Sequence, residues 1–389
     1  MLKIKYVHIG MLIVFLVSGY VFYDTFLYQV WQSDSSFYPA SDIPFHARSV
    51  ADFSTDHFRS FYTIWYPLVF LISGFSTDYD HIAYVMIAML ASLIVLKYTI
   101  SYWILSDKSE DKKLAAFFSL FLIFVMPIIH YSTSSDGLSK VSHIYLGNVS
   151  PNQWHNSTLI FAMPANIIWF YYSVKNIHSE KLSSFFMMGA LCLLSIICKP
   201  NYALAFLPVL CTAILVFDFC LKRYFRGLAK VFIIATPSVF VLGWQWYLTF
   251  SNHHLSNHPI TTKIAPLLVW SHYSSNIPLA LLLSIAFPLL VLIFYFRKID
   301  SYLILSWCTF LVALSTMILF VELPNWQAAN FLWGAIAANF ILFLFSVRCL
   351  LMQPDDGLYK IARAVFVLHL LSGIYFLVNF FTQQTSLLF

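Results

Sequence analysis

The sequence predicts an all-α polytopic membrane protein with about eleven transmembrane helices, which form a single transmembrane domain over residues 1–389. Hydrophobic residues make up 60% of the chain and charged residues only 10%, and the mean hydropathy is +0.77. A soluble domain of this size could not bury so much apolar surface. Apolar runs of the length that crosses a bilayer as a helix recur along the chain. These candidate spans lie at 9–28, 82–105, 114–130, 157–176, 183–198, 203–221, 231–250, 277–296, 302–321, 332–347 and 361–381.

Lysine and arginine predict the orientation, because they concentrate on the cytoplasmic side of membrane proteins. With the N-terminus in the cytoplasm, sixteen of the 22 fall in inner segments and five in outer segments, while Lys97 lies within a span. The first span has no small-residue cleavage site behind it, which is typical of a retained signal anchor. The net charge of +5 therefore reflects an inner face in contact with membrane lipids, and it indicates no nucleic-acid partner.

The outer segments of this topology carry most of the varied polar chemistry. They are about 29–81, 131–156, 251–276 and 322–331, and ten of the thirteen histidines lie within them or, in the case of His130, directly before the second. Inner loops such as 106–113 and 222–226 are short and charged. Loops contain polar residues in any protein, but this does not explain why histidine avoids the inner ones. We therefore expect an active or binding face on the outside.

The first outer loop, 29–81, is predicted to contain a surface amphipathic helix. Ser41 or Asp42 is suited to cap its start, and Pro44 to lie in its first turn. Three residues then share one face, as in a helix that lies on the membrane surface: Phe45, Ser49 and Phe53. Asp42 and His46 are four residues apart, which places them on one side of the helix. Either Asp42 is only a cap with His46 as its neighbour, or both are directed at a substrate.

The apolar stretch 61–75 in the same loop is only fifteen residues long, and Asp78, Asp80 and His81 follow it. Counting it as a full span would reverse every later segment and break the lysine and arginine bias. We therefore expect a partial insertion or a surface helix, covered by protein wherever its backbone is not helical.

The second outer loop, 131–156, ends in a dense polar stretch that runs from Asn148 to Thr158. Within it, Asn152, Trp154, His155 and Asn156 are of the types that bind sugars and phosphates, since amides and imidazole form hydrogen bonds and indole offers a flat stacking face. Tryptophan also forms belts at membrane interfaces without any catalytic role, so Trp154 has two interpretations. A binding role is the favoured hypothesis for His155, which stands beside two amides.

Lys199 and Glu322 are charged residues at the outer ends of two predicted spans. Lys199 either extends to the lipid headgroups or meets a phosphate or a carboxylate. Glu322 needs a partner so close to hydrocarbon, and a pair with Lys199 is one hypothesis. A third group, His253, His254 and His258, matches no standard zinc spacing, and a solvated loop is the favoured interpretation there.

Taken together, the N-terminal span, the acidic residue early in a long outer loop, the surface helix and the stretch Tyr66-Pro67-Leu68 resemble the GT-C class of membrane glycosyltransferases. That class has a Tyr-Pro-Pro-Leu type stretch, so one proline is missing here. Further segments are similar to a bacterial, polysaccharide-associated branch: 147–158, Lys199-Pro-Asn201, and Glu322 followed by 330–334. The resemblance implies sugar transfer from a polyprenyl-phosphate-linked donor to a glycan or lipid acceptor, at the periplasmic face of a bacterial inner membrane.

The resemblance implies that Asp42 is the catalytic acidic residue. It leaves a divalent cation open as a cofactor, and it leaves a second carboxylate open among Asp52, Asp56, Asp78, Asp80 and Asp136. Glycosyl transfer needs a base for the acceptor hydroxyl, positive charge at the leaving phosphate, and groups that hold the sugar. Asp42 fits the first role. The phosphate candidates are His46, Arg48, His155 and Lys199; the other candidates for substrate binding are Asn152, Trp154, Asn156, Glu322 and Asn330.

Other function classes remain as alternatives. A carrier or flippase of lipid-linked sugars usually keeps ionisable groups near the middle of its spans, and Lys97 and Asp218 are placed near inner ends by the predicted spans. A polysaccharide polymerase or a membrane acyltransferase would use a similar outer face. The sequence contains no phosphate-binding glycine-rich loop and no Gly-x-Ser-x-Gly elbow.

Overall fold

The computed structural model describes residues 2–31, 42–52, 62–133, 139–141, 145–250 and 260–383. The helices are α1 (Leu2–Trp31), α2 (Ile43–Ala51), α3 (Trp65–Ile72), α4 (Tyr79–Lys108), α5 (Lys112–Leu122), α6 (Ser157–Asn176), α7 (Leu182–Cys198), α8 (Ala203–Cys220), α9 (Tyr224–Phe250), α10 (Leu268–Tyr273), α11 (Ile277–Phe294), α12 (Ser301–Leu319), α13 (Leu332–Leu350) and α14 (Gly357–Gln383). Four short strands form two antiparallel pairs: β1 (Tyr131–Thr133) with β2 (Ser139–Val141), and β3 (Thr261–Ile264) with β4 (Phe320–Leu323).

The helices confirm an all-α polytopic membrane protein. Among the described residues, nine helices are long and apolar enough to cross a membrane, and α7, with 17 residues, is slightly shorter. Helix α13 lies at the centre, because every one of its 19 residues is buried. It packs against α12, α11 and α4, among others. Apart from Asn339, Ser346 and Arg348, its sequence is apolar on all sides, as expected for a helix that is surrounded by other helices.

The predicted span at 114–130 is wrong as a continuous helix. Helix α5 ends at Leu122 after 11 residues, and residues 125–130 have no helical structure. Pro127 disfavours a helix through this segment, since its ring lacks an N–H and would clash with the carbonyl group of Ile123. The crossing therefore consists of a short helix followed by an irregular segment inside the bundle.

Helix α14 supplies partners to this irregular segment. The backbone N–H of Met126 donates to the carbonyl of His369 over 3.1 Å, and Nδ1 of His369 lies 2.7 Å from the carbonyl oxygen of Met126. Gly373 permits the close approach, because a Cβ atom at this position would lie 1.6 Å from the carbonyl oxygen of Phe124. Non-helical backbone at membrane depth is tolerated where protein covers it and satisfies its polar groups.

Helix α11 is kinked at the same level and supplies further partners. Ile285 has non-helical dihedral angles, and Pro288 lies one turn further on. The carbonyl of Leu283 accepts from the N–H of Ile128 over 3.1 Å, and the N–H of Phe287 donates to Nε2 of His369 over 3.4 Å. The helical bond that would join residues 283 and 287 is thus replaced by two bonds to other parts of the chain.

The segment from 145 to 156, which is the last part of the predicted second outer loop at 131–156, is largely buried inside the bundle. Asn148 and Ser150 are buried. The N–H of Val149 donates to the hydroxyl of Ser284 over 3.0 Å, and the amide of Asn339 donates to the carbonyl of Val149 over 2.6 Å. Polar side chains on α11 and α13 therefore satisfy the backbone of this segment.

Helices α2 and α3 form most of the described part of the first loop, at 29–81. Helix α2 begins after Asp42, with a proline in its first turn, as predicted. Its buried residues include Ile43, Ala47 and Val50, whereas Phe45 is exposed. Helix α3 has only 8 residues, which confirms that 61–75 holds no full-length span. Several predicted features lie outside the described residues: Ser41, Phe53, Asp56, Asp136, His253, His254 and His258.

The bundle has two chemically different ends. The end where α2, the start of α6, the end of α7 and the start of α13 meet is called the site end below. At the opposite end, Arg223 and Arg226 lie 2.7 and 3.3 Å from Glu180, and Arg348 pairs with Asp300. The exposed pairs of Glu180 contribute little to stability individually, whereas Arg348 is buried; together these pairs show where the described basic residues concentrate.

Candidate functional site

Asp42 is the centre of a polar cluster at the site end. It precedes α2 but makes no side-chain cap bond there. Its Oδ1 atom accepts instead from the backbone N–H and the hydroxyl of Ser157, over 2.9 and 2.5 Å, and its own N–H donates to the carbonyl of His155 over 3.0 Å. The carboxylate therefore joins the start of α2 to the start of α6.

His46 is the second partner of this carboxylate. Its Nε2 atom lies 3.0 Å from Oδ2 of Asp42, and the side chains are 6% and 24% exposed, respectively. The Nδ1 atom of His46 lies 2.8 Å from the hydroxyl of Tyr66, which in turn lies 3.0 Å from the hydroxyl of Tyr62. Asp42 and His46, which were predicted to lie on one side of the helix, are thus in direct contact. Both ring nitrogens of His46 have a hydrogen-bond partner.

The protonation state of Asp42 follows from this environment. Burial would raise the pKa of the carboxyl group, but the charge of His46 and the hydrogen bonds from His46 and Ser157 outweigh it, so the pKa lies below its ordinary value. Asp42 is therefore ionised at neutral pH. With 24% of its side chain exposed, it remains accessible to a ligand.

His155 lies beside this cluster, between two aromatic rings. The ring centroids of Tyr145 and Trp333 lie 4.7 and 5.2 Å from that of His155. Among the described residues, its buried Nδ1 atom has no hydrogen-bond partner. Burial lowers the pKa of the imidazole to about 4, with a smaller contribution from Lys199 that Asp42 opposes. A neutral imidazole with a free nitrogen is suited to form a hydrogen bond with a ligand.

Lys199 approaches the same cluster from the end of α7. Its ammonium group donates to Oδ1 of Asn156 over 2.9 Å and to the hydroxyl of Thr158 over 2.7 Å. Burial lowers its pKa to about 8, although the charges of Asp42 and Glu322 act in the opposite direction. Lys199 is thus a half-buried cation that no carboxylate neutralises at contact distance within the described chain.

Glu322 and Asn330 form a neighbouring pair. The amide nitrogen of Asn330 donates to Oε2 of Glu322 over 2.5 Å. The hypothesis of a direct Lys199–Glu322 ion pair is not met, because the two interact only through space. Two sequence segments singled out above do meet here, since the amide of Asn201 donates to the carbonyl of Asn330 over 2.7 Å.

Three predicted site residues lie apart from this cluster. Asn152 is buried, where its amide group donates to the carbonyls of residues 122 and 125 and accepts from Lys97. Trp154 is buried and packs against the rings of Phe22 and Phe124, each 6.0 Å away. Arg48 is exposed and faces the ring of Tyr79. The polar stretch 148–158 is therefore divided, and only its second half reaches the site end.

Three of the five candidates for a second carboxylate lie within the described residues, and each has a position at a helix end. Asp78 caps α4 with its side chain, Asp80 lies exposed in the first turn of that helix, and Asp52 ends α2. Asp56 and Asp136 are outside the described residues. Across the described ranges, no group of three or more histidine, cysteine, aspartate or glutamate residues could hold a metal ion.

Sequence reasoning did not assign roles to several residues of the cluster. Ser157 contacts Asp42 directly, Tyr62 ends the chain of hydrogen bonds, and Trp333 packs against His155. The sequence does indicate a functional role for Tyr66, because this residue opens the Tyr-Pro-Leu stretch, but nothing in that stretch indicates His46 as its partner. The sequence gives no such indication for Ser157, since a serine at the start of a helix is ordinary.

Comparisons with known proteins identify no relative. No protein-family model, no curated protein and no solved structure matches the chain. The fold and the chemistry of the site end are therefore the basis for assigning a function.

Proposed function

We propose that the chain is a GT-C-like integral-membrane glycosyltransferase, which moves a sugar from a polyprenyl-phosphate-linked donor to a glycan or lipid acceptor. The observation that carries the proposal is the convergence of three groups at one end of an apolar helical bundle. These groups are the ionised Asp42, the imidazole of His155 with its free nitrogen, and the cation Lys199. The lysine and arginine bias of the sequence supports the periplasmic face of a bacterial inner membrane as the location.

The reaction divides between these groups. An acceptor hydroxyl gives its proton to Asp42 as its oxygen attacks the anomeric carbon of the donor sugar. The bond between that carbon and the phosphate oxygen breaks, and the electron pair leaves with the polyprenyl phosphate. Lys199 donates to the developing phosphate charge, and His155 forms a further hydrogen bond to it.

The hydrogen bonds of Asp42 are compatible with the role of a base. An ionised carboxylate offers about four lone-pair sites. Three donors occupy the carboxylate of Asp42: the hydroxyl of Ser157 on Oδ1, the N–H of Ser157 shared between Oδ1 and Oδ2 over 2.9 and 3.2 Å, and His46 on Oδ2 at 3.0 Å. The carboxylate therefore keeps one site for an acceptor hydroxyl. The lowered pKa makes Asp42 a weak base, which suits a proton transfer that follows much of the bond breaking.

The apolar bundle supports a lipid-linked donor. Nine of the described helices are long and apolar enough to lie in a membrane, beside a polyprenyl chain. The charged groups of the site end lie where helices begin and end, which is where the phosphate headgroup of such a donor would be found. A water-soluble nucleotide-sugar donor would need no such position.

Reconstituted protein and a panel of radiolabelled polyprenyl-phosphate sugars test the proposal. Asp42→Asn keeps the shape of the side chain, and we expect it to reduce formation of the glycosidic bond by about 10²- to 10⁴-fold, the range typical of a lost general base. Asp107→Asn is the matched control, because Asp107 is exposed at the opposite end of the bundle. Full transfer by Asp42→Asn would remove Asp42 as the base.

The alternative functions need their own measurements. Analysis of product length separates single transfer from polymerisation, and acyl donors test the acyltransferase alternative.

A carrier of lipid-linked sugars is the second candidate, and Lys97 is the observation that favours it. The predicted spans place Lys97 near an inner end, but α4 extends to Lys108 and Lys97 is buried inside it, with its ammonium group 2.7 Å from Oδ1 of Asn152. An ionisable residue buried within a span often marks a transport path. Passage of labelled lipid across proteoliposomes without a new glycosidic bond would support the carrier and contradict the transferase.

A further inference from the structure

One chain of hydrogen bonds connects Asp42 to His46 on α2 and to two tyrosines at and before the start of α3. It runs from Oδ2 of Asp42 to His46 over 3.0 Å, from His46 to Tyr66 over 2.8 Å, and from Tyr66 to Tyr62 over 3.0 Å. His46 and Tyr66 are buried. Buried polar groups are costly unless they are paired, and here each of these groups is paired with the next.

The direction of the chain follows from elementary hydrogen-bond chemistry. The ionised carboxylate of Asp42 has no hydrogen to donate, so Nε2 of His46 carries the proton of that bond. When His46 is protonated, its charge lowers the pKa of Asp42 and both ring nitrogens donate; when it is neutral, Nδ1 is an acceptor and the hydroxyl of Tyr66 donates to it. In the neutral form the oxygen of Tyr66 accepts from the hydroxyl of Tyr62. Each donor then points toward the carboxylate, and each bond polarises the next one.

The distal end of the chain is fixed by other helices. The carbonyl of Tyr62 accepts from Nε2 of Gln245 on α9 over 2.7 Å. The hydroxyl of Thr63 donates to the carbonyl of Cys198 at the end of α7 over 2.7 Å. Ring packing adds to this, because the ring centroids of His46 and Tyr66 lie 5.4 Å apart. The hydroxyl groups of the two tyrosines are thus held in place by the helical bundle.

We propose that Tyr66 and Tyr62 are positioning residues, which hold His46 in the tautomer and orientation that present Nε2–H to Asp42. This inference rests on the proposed function only in taking Asp42 as the reacting carboxylate. It assigns His46 a new role, since both of its ring nitrogens are used within the chain and neither is free for a phosphate. Lys199 and His155 remain as the groups for the phosphate.

The consequence for pH can be stated because the groups that face Asp42 are known. They are His46 on α2, Tyr62 and Tyr66 before and within α3, His155 before α6, and Lys199 after α7. Loss of the Tyr66 hydroxyl removes the donor to Nδ1 of His46, so the Nε2–H tautomer loses its advantage. A bare Nε2 facing the carboxylate would repel it, and Asp42 would then take up a proton at a higher pH.

Nitrogen NMR of the full chain in proteoliposomes, with histidine labelled with ¹⁵N, tests this without any sugar substrate. The signals of His46 are those that vanish in His46→Asn. We expect the wild-type protein to show the Nε2–H tautomer, and Tyr66→Phe to shift it toward Nδ1–H, with a smaller shift in Tyr62→Phe. Tyr98→Phe is the matched control, because its buried hydroxyl contacts no member of the chain.

Titration of Asp42 by infrared difference spectroscopy gives the second readout, in which Asp42→Asn identifies the carboxyl band. The midpoint should rise in Tyr66→Phe and stay unchanged in Tyr98→Phe. An Nδ1–H tautomer in the wild-type protein would overturn the proposal even if no variant folds, and so would an unchanged titration in a folded Tyr66→Phe. Both readouts are independent of transfer, so a Tyr66-dependent tautomer in a protein without transferase activity would reject the proposed function alone.

Discussion

The hydroxyl of Ser157 lies 2.5 Å from Oδ1 of Asp42, although 115 residues separate the two in the sequence. The same carboxylate therefore completes the first turn of α6 and stands beside the first turn of α2. Both helix starts favour a negative charge, because their free N–H groups and dipoles point toward it. The site is thus built where two helix starts meet, and one ionised side chain bonds to Ser157 at the start of α6 and to His46 on α2.

Ser157→Ala should make the protein more sensitive to acid. Asp42 has a lowered pKa, so its contribution to stability is complete above the pKa of the unfolded chain and is lost as the pH falls through the pKa of the folded state. Without the serine hydroxyl, the folded pKa rises, and stability is lost at a higher pH. We expect a cost of about 1.5 kcal/mol at neutral pH, which is typical of a bond to a charged group. Thermal unfolding between pH 3 and 7 measures it, and a loss that does not depend on pH would contradict this account.

Lys199 should make donor binding depend on pH near 8. Its pKa is lowered to about 8 by burial, so the ammonium form that attracts a phosphate disappears as the pH rises through this value. We expect the KM for the donor to increase by about 10- to 100-fold above that pH, which corresponds to one lost bond to a charged group. Lys199→Arg should keep its charge and flatten the profile, whereas Lys181→Arg, at the opposite end, should leave it unchanged. A wild-type KM that is constant from pH 7 to pH 9.5 would argue against a phosphate contact.

Asn152→Ala should affect stability and leave substrate recognition intact. The change removes the partner of two buried carbonyls and of the Lys97 ammonium group. Each unsatisfied buried group costs about 1–3 kcal/mol, so the sum is a large fraction of the stability of a protein. Asn276→Ala, which removes only the N-cap of α11, should cost about 1 kcal/mol. A folded Asn152→Ala protein with a changed KM would return Asn152 to the list of sugar ligands.

Gly334→Ala should loosen the junction of two segments of the site end. A Cβ atom at this position would lie 2.8 Å from the carbonyl oxygen of Asn201, so backbone would have to move. Overpacking of this kind costs about 1–3 kcal/mol. Gly243→Ala on α9 is the control, because nothing lies within 4 Å of its added Cβ, and higher helix propensity should make it neutral or stabilising. Equal melting temperatures for the two variants would refute the close contact.

Local signals in the sequence account for much of the fold. Hydropathy predicts the helical class and the position of most long helices, and Asp42 with Pro44 predicts the start of α2. The spacing of Asp42 and His46 also predicts their contact, since a period of four residues determines it within one helix. In each case the determining residues are close together in the sequence.

The remaining features depend on residues that are distant in the sequence. The irregular segment after α5 has the hydropathy of a span, because few of its own side chains are polar. Its backbone groups are bonded instead by distant residues such as His369, which lies 243 residues after Met126. The roles of Asn152 and Trp154 also cannot be read from the sequence. An asparagine or a tryptophan that binds a ligand is the same residue type as one that is buried for structural reasons. Only the three-dimensional partners distinguish them.

The contact of Gly373 with Phe124 has a consequence for how the chain is assembled. The ribosome makes the segment after α5 long before it makes α14, so the peptide groups near Met126 reach the membrane without their permanent partners. Until α14 arrives, the first third of the chain must satisfy them with water or with the insertion machinery. Completion of this crossing is therefore a late step of biogenesis, coupled to α14, and a chain truncated before that helix would leave the N–H and the carbonyl of Met126 without these partners.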